Sequence, residues 1–265
     1  MEGISPHSVI ASGAKIGKNV KIGHFCVIDA GVVIGDDCEI GNNVTITGNT
    51  TLGARNKIFN GACVGVPPQD LKYAGENTEL VIGDDNIIRE CVTLNKGTQG
   101  GGGKTTIGSN NLFMAYAHVA HDCVVGNHCI FANVATLGGH VHVGDYVNFG
   151  GVSAAHQFVK IGDGCMVAAF SALVQDLPPY CMAHGNHAAI IGLNKHRLRK
   201  MFNREEIDGI SALYKKLFSH TAPIKELAQK ELESPNISQA QRYICEFILS
   251  NTRGIAIKNK DRHND

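Results

Sequence analysis

A chain of 265 residues with 24 basic and 24 acidic side chains is formally neutral, which argues against a general nucleic-acid binder. Its apolar runs fall short of the roughly 18 residues a membrane-spanning helix needs, and the opening MEGISPHSV lacks the basic and apolar regions of a secretory signal. Nine cysteines without a CxxC pair read as small buried thiols in a reduced, cytoplasmic protein, not as disulfides or zinc ligands.

From the start the chain counts in sixes. An apolar residue falls at Ile10, Ile16, Ile22, Ile28, Ile34, Ile40, Ile46, Leu52, Ile58 and Val64. The beat resumes at Ile82, Ile88 and Leu94, shifts by one, and runs from Ile107 through Phe113, Val119, Phe131, Leu137 and Phe149 to Leu173. Four residues after each beat a small or medium side chain returns, as at Val20, Cys26, Cys38, Ala117, Cys123 and Ala135. A repeat this short buries nothing alone, so copies must stack. Three hexads per turn give a triangular β-prism whose coils pair about 4.8 Å apart. Gly, Asn and Asp after the beat supply corners that tolerate positive φ. The absence of Trp fits a narrow interior.

Two interruptions, 69–80 (QDLKYAGENTEL) and 99–105 (QGGGGKT), read as loops projecting from the prism. The first leaves the phase intact and the second shifts it by one. GGGGK lacks the spacing and the helix start of a nucleotide-binding P-loop. The rhythm ends at Pro178–Tyr180, which gives a β-prism over 1–190 and a small α-helical domain over 191–265. There Asn203 with Glu206, Pro223, and Ser238 with Gln241 mark helix starts. Lys195, His196, Arg197, Arg199, Lys200 and Arg204 form either a solvated helix face or a site for an acidic partner.

His118, His121, His140, His142, His156, His184 and His187 crowd into the later prism and its exit, although the repeat has no use for them. His118 and Ala120 should face outward beside Val119, with His121 and Asp122 at the approaching corner. Stacking by eighteen places His140 over Asp122, and Gln157 two turns above His121. Two chemistries fit this patch of His118, His121, His140, His156 and Gln157. A neutral His oriented by a carboxylate is a general base for attack on a thioester. Alternatively, imidazoles on adjacent faces hold zinc with an open position, as in a γ-type carbonic anhydrase.

The loop QDLKYAGE (69–76), AHVAHDC (117–123), GGH (138–140), AHQF (155–158), QDLPPY (175–180) and GNHA (185–188) together resemble the UDP-N-acetylglucosamine O-acyltransferase family over the whole chain. The resemblance implies an all-β left-handed parallel β-helix followed by helices, and a cytoplasmic homotrimer with active sites between adjacent prisms. It implies transfer of a (3R)-hydroxyacyl group from acyl carrier protein to the 3-hydroxyl of UDP-N-acetylglucosamine. No metal and no resident cofactor is expected, because the donor brings its own 4'-phosphopantetheine.

Carried onto this chain, the resemblance makes His121 the general base, Asp122 its orienting carboxylate and Gly139 the oxyanion donor. Asp70 and Lys72 contact substrate, His118, His140, His156 and Gln157 line the sugar and acyl cleft, and His187 and Asn194 lie near the nucleotide and pantetheine arm. After Asn194 the chain reads KHRLRKMF where the family has an Arg-rich turn with Gly, so the nucleotide phosphates fall to Arg199 or Lys200. Ala169 stands where Gly or a larger residue limits acyl length, and should shorten the pocket relative to Gly by roughly one methylene. An N-acyltransferase acting on an amino sugar of the same pathway is the alternative within the superfamily, although its usual N-terminal domain is missing here.

Overall fold

The computed structural model describes residues 3–219 and 221–257. Short strands, mostly two residues long, wind into three sheets of nine, eight and ten strands that form the faces of a prism. Neighbouring coils pair in parallel at a spacing of eighteen, as in Val9↔Val27 and His118↔Thr136. Each beat residue points inward because strand side chains alternate. Ile28, Ile46, Val64, Leu94, Val119 and Leu137 are all buried. The cysteines four residues on are buried too, and they donate to the coil above: Cys26 Sγ to Gly41 O at 2.9 Å and Cys123 Sγ to Gly138 O at 3.1 Å. All nine thiols are free.

The interruptions have definite lengths. Pairing widens to thirty residues across the first, Asn49↔Glu79, and to twenty-five across the second, Glu79↔Lys104. The insertions are therefore twelve and seven residues, the seven accounting for the one-residue shift of the beat. Both loops end before the positions the sequence predicts. Leu80 is a buried member of the strand Glu79–Ile82, and Thr105 of the strand Lys104–Ile107. These segments alternate with period two and stack on Asn49–Leu52, a pattern that a count of sixes overlooks.

The interior also takes larger groups than a narrow prism suggests. Phe113, Phe131 and Phe149 lie eighteen apart and stack in parallel, with ring centroids 4.8 and 5.0 Å apart. Beside them Asn56, Asn86 and Asn111 fill the inward slot four residues after the beat as a buried ladder. Asn86 N–H donates to Asn56 Oδ1 and Asn111 N–H to Asn86 Oδ1, both at 2.9 Å. Replacing Phe131 by Ala removes both stacks and opens a cavity between coils, and should lower unfolding stability by about 3–5 kcal/mol in denaturant titration.

Corners carry positive φ, but not only at Gly, Asn and Asp. Phe25, Tyr116, Val134, Val152 and Phe170 adopt it as well. Each such residue costs about 1–2 kcal/mol, offset by the coil-to-coil hydrogen bonds that fix the corner.

Four helices follow: α1 Lys195–Met201, α2 Arg204–Leu217, α3 Ile224–Leu232 and α4 Gln239–Leu249. The Ser238–Gln241 capping box is complete. At Asn203 only half of one forms, because Glu206 bonds Ser238 instead of returning to the cap. Tyr214 Oη donates to Pro179 O at 2.6 Å and fastens α2 to the prism end. The expected division at 190 falls inside the strand Ala189–Leu193, which pairs antiparallel with Cys181–His184. The chain then returns to the prism, where Ile255 bridges Asp176. Residues 258–265 of the expected helical domain lie outside the described residues. No described helix is long and apolar enough to cross a membrane.

Candidate active site

The strand His118–Val119 ends at a corner where Asp122 takes φ 58°, turning its side chain back beside His121. The Asp122 side chain is wholly buried, and its Oδ2 lies 2.7 Å from His121 Nδ1. With Nδ1–H donated to the carboxylate, Nε2 is left as the basic nitrogen. Asp122 is held from the second loop: Thr98 N–H donates to Oδ1 at 2.9 Å and Thr98 Oγ1 to Oδ2 at 2.6 Å. Asp122 N–H donates to Thr105 Oγ1 at 2.8 Å. A Cβ on Gly101 would fall 2.1 Å from the Asp122 carboxyl carbon, so one glycine of GGGG is required by contact. Gly102 and Gly103 serve positive φ. Sequence reasoning missed Thr98, Thr105 and Gly101, because only the folded loop carries them to Asp122.

Gly139 sits over His121, where a Cβ would be 2.6 Å from Cε1 and 2.8 Å from Nε2. Its amide is left free among the described residues, as are the corresponding amides of Ala115, Asn133, Gly151 and Ala169 at the other corner of this face. At the remaining corner Ser109, Asn127 and Asp145 donate their N–H groups to the Oδ1 of Asn127, Asp145 and Asp163, at 2.8, 2.7 and 3.0 Å. In the column His121–Gly139–Gln157 that side-chain ladder is interrupted, and the Gly139 N–H has no hydrogen-bond partner among the described residues.

His140 stacks on Phe158 at 4.4 Å and meets His121 edge-on at 5.1 Å. Its Nε2 lies 3.9 Å from Asp122 Oδ2. Burial pushes the His140 imidazole below its usual value, opposed by the Asp122 charge and, more weakly, by Asp70 of the first loop. His118 bonds Thr93 Oγ1 at 2.7 Å through Nδ1, and burial, then the charge of His121, lowers it as well. Ala120, expected to face outward, is nearly covered, with 9% exposed. Burial raises the Cys123 thiol to about 12, so no thiolate competes with His121 at neutral pH.

The remaining predicted residues are distributed around this centre. Gln157 is exposed above Gly139. His156 is exposed and meets Arg253 Nη2 at 3.2 Å, a residue of the returning chain that no local motif marks. Asp70 Oδ1 accepts the Lys72 N–H at 3.0 Å in the first loop, leaving the Lys72 side chain in solvent. Ala169 is exposed at the far corner of the His118 face, beside Phe170. His187 is exposed on the turn before Ala189–Leu193. Asn194 is buried as the N-cap of α1, accepting Arg197 N–H at 3.1 Å and donating to Gly164 O at 2.9 Å, while Arg199 and Lys200 extend into solvent. His128, stacked on Tyr146 at 4.7 Å, is a surface rung.

His121, Asp122 and His140 each place one donor atom within 4.8 Å of the others. Two of the groups are already committed, since His121 Nδ1 and Thr98 Oγ1 share Asp122 Oδ2. The geometry is that of an oriented base.

The model of the family described as Udp N-acetylglucosamine O-acyltransferase, domain 2, matches residues 176–256, and the bacterial transferase hexapeptide family matches 13–48 and 104–139. An acyl-[acyl-carrier-protein]–UDP-N-acetylglucosamine O-acyltransferase of Nautilia profundicola is 50% identical over 98% of this chain and all of its own length. The chain belongs to the UDP-N-acetylglucosamine O-acyltransferase family. An acyltransferase of the same description from Helicobacter pylori is 52% identical over 82% of this chain and 81% of its own. A crystal structure of a UDP-N-acetylglucosamine acyltransferase superposes with TM-score 0.95 at 51% identity, covering 97% of this chain and 99% of that one. The enzyme from Campylobacter jejuni gives 0.92 at 42% identity, covering 97% and 100%. The prism of this acyltransferase is accordingly a left-handed parallel β-helix, an exception to the right-handed rule for parallel crossovers.

Proposed function

We propose that the chain transfers a (3R)-hydroxyacyl group from acyl carrier protein to the 3-hydroxyl of UDP-N-acetylglucosamine, with His121 as general base. The observation that carries this is the His121–Asp122 pair beneath an unengaged Gly139 amide. His121 Nε2 removes the hydroxyl proton as the sugar oxygen attacks the thioester carbonyl. The carbonyl oxygen becomes an oxyanion that accepts the Gly139 N–H. Collapse breaks the C–S bond, and the imidazolium returns its proton to the leaving thiolate. The products are a sugar ester and a free pantetheine thiol, and no resident metal or cofactor takes part.

Asp70, Lys72, His118, His140, His156 and Gln157 border the sugar and acyl cleft in this reading. Asn194 acts by starting α1, which presents Arg199 and Lys200 toward the nucleotide and, with Lys195 and Arg204, a basic surface to the acidic carrier. His187 lies near the pantetheine arm. Nine free thiols suit a reduced cytoplasm.

A homotrimer completes the site. Tyr116, Val134, Val152 and Phe170 form an exposed apolar ladder along the corner that opens the His118 face, with the His121 corner at its other edge. Sedimentation should give three times the 28.3 kDa chain mass, and Phe170→Glu should shift the population toward monomer. A monomeric wild type contradicts the trimer.

Transfer from hydroxyacyl carrier proteins of graded length tests the reaction. Wild type should acylate UDP-N-acetylglucosamine with a sharp length preference, and Ala169→Gly should move the preference toward a longer chain. Absence of acylated nucleotide with every donor overturns the function, and an unchanged preference removes Ala169 from the pocket.

A further inference from the structure

We propose that Thr98 is a positioning residue for the transfer, holding Asp122 and setting how much of the carboxylate's charge reaches His121. The inference rests on His121 being the base. A coil of the prism needs no insertion, yet seven residues are inserted just before the coil that carries Asp122. The insertion folds back on Thr98, whose carbonyl accepts Gly101 N–H at 3.1 Å and Gly103 N–H at 2.8 Å. That closure presents the Thr98 N–H to one carboxylate oxygen and its hydroxyl to the other, with Gly101 packed against the carboxyl carbon.

The arrangement is buried on both sides, with Thr98 7% and Asp122 4% exposed. Water is therefore a poor substitute for either bond. Asp122 Oδ2 is shared: Thr98 Oγ1 at 2.6 Å and His121 Nδ1 at 2.7 Å draw on the same oxygen. A shared acceptor gives each donor less charge. The other ionisable groups around the pair are His140, 3.9 Å from Oδ2, then His118 beyond His121, Cys123 next in the chain, and Asp70 facing His140. None of them competes for Oδ2 at hydrogen-bond distance. Removing the Thr98 hydroxyl leaves that oxygen to His121 alone, which strengthens its hold on the imidazolium.

The test is the pH profile of kcat/KM. Thr98→Val keeps the side-chain shape and the N–H bond to Oδ1 but deletes the hydroxyl. The acid limb should move up by about half a pH unit, and Thr98→Ser should restore the wild-type limb. A purely structural role for Thr98 would lower kcat and thermal stability at every pH without moving the limb. Should Thr98→Val not fold, Thr98→Cys supplies a weaker donor of similar size and should move the limb in the same direction by less. An unmoved or lowered limb, or a Ser variant that behaves like Val, overturns the proposal. Inactivity of the wild type would instead overturn the acyl transfer itself, so the two failures are distinguishable.

Discussion

His121→Ala should lower kcat/KM for acyl transfer by roughly a thousandfold while UDP-N-acetylglucosamine binding stays nearly unchanged. The loss is chemical, because His121 is packed at the corner and contributes little core area. Asp122→Asn should come close to the same loss. Asp122 accepts three hydrogen bonds, from Thr98 N–H, Thr98 Oγ1 and His121 Nδ1. An amide offers one acceptor oxygen. Kept toward the Thr98 N–H, it turns an NH₂ toward His121, which must then accept at Nδ1 and carry its proton on Nε2. The basic nitrogen is lost, and a wrong tautomer of this kind costs on the order of 10³–10⁴ in rate. Steady-state kinetics of both variants, with nucleotide binding measured by calorimetry, check the prediction.

Gly139→Ala should lower kcat by about a hundredfold with the fold intact. Gly139 has no positive φ, so alanine suits its backbone. The three atoms nearest the new Cβ all belong to the His121 ring, Cε1 at 2.6 Å. The ring must swing away, which breaks its alignment with Asp122 and crowds the amide above it. Thermal unfolding should therefore change far less than activity. A large loss of stability with the remaining folded enzyme fully active would mean that Gly139 serves packing alone.

The beat was legible because stacking coils leave no other way to bury a two-residue strand, and Ile28, Val64, Val119 and Leu173 are buried as that logic requires. The same count put His121 and Asp122 at one corner and His140 over Asp122, while the role of Asp122 as orienting carboxylate came from the family resemblance. What the count missed depends on insertion lengths or on distant chain. The buried ladder of Asn56, Asn86 and Asn111 appears only when twelve and seven residues are subtracted between coils. Thr98 reaches Asp122 across 24 residues through a loop whose shape no period encodes. Arg253 reaches His156 across 97. The corners at Tyr116, Val134 and Phe170 defied residue preference, because the stacked hydrogen bonds impose positive φ on whatever side chain falls there.

The central claim is that this corner performs acyl transfer through the His121 base. A single-turnover reaction of purified chain with UDP-N-acetylglucosamine and a hydroxyacyl carrier protein tests it most directly, with the acyl position read by NMR. Wild type should give one ester on the 3-hydroxyl per site, and His121→Ala essentially none in the same interval. Equal ester from both proteins, or an acyl group found elsewhere on the sugar, would contradict the account.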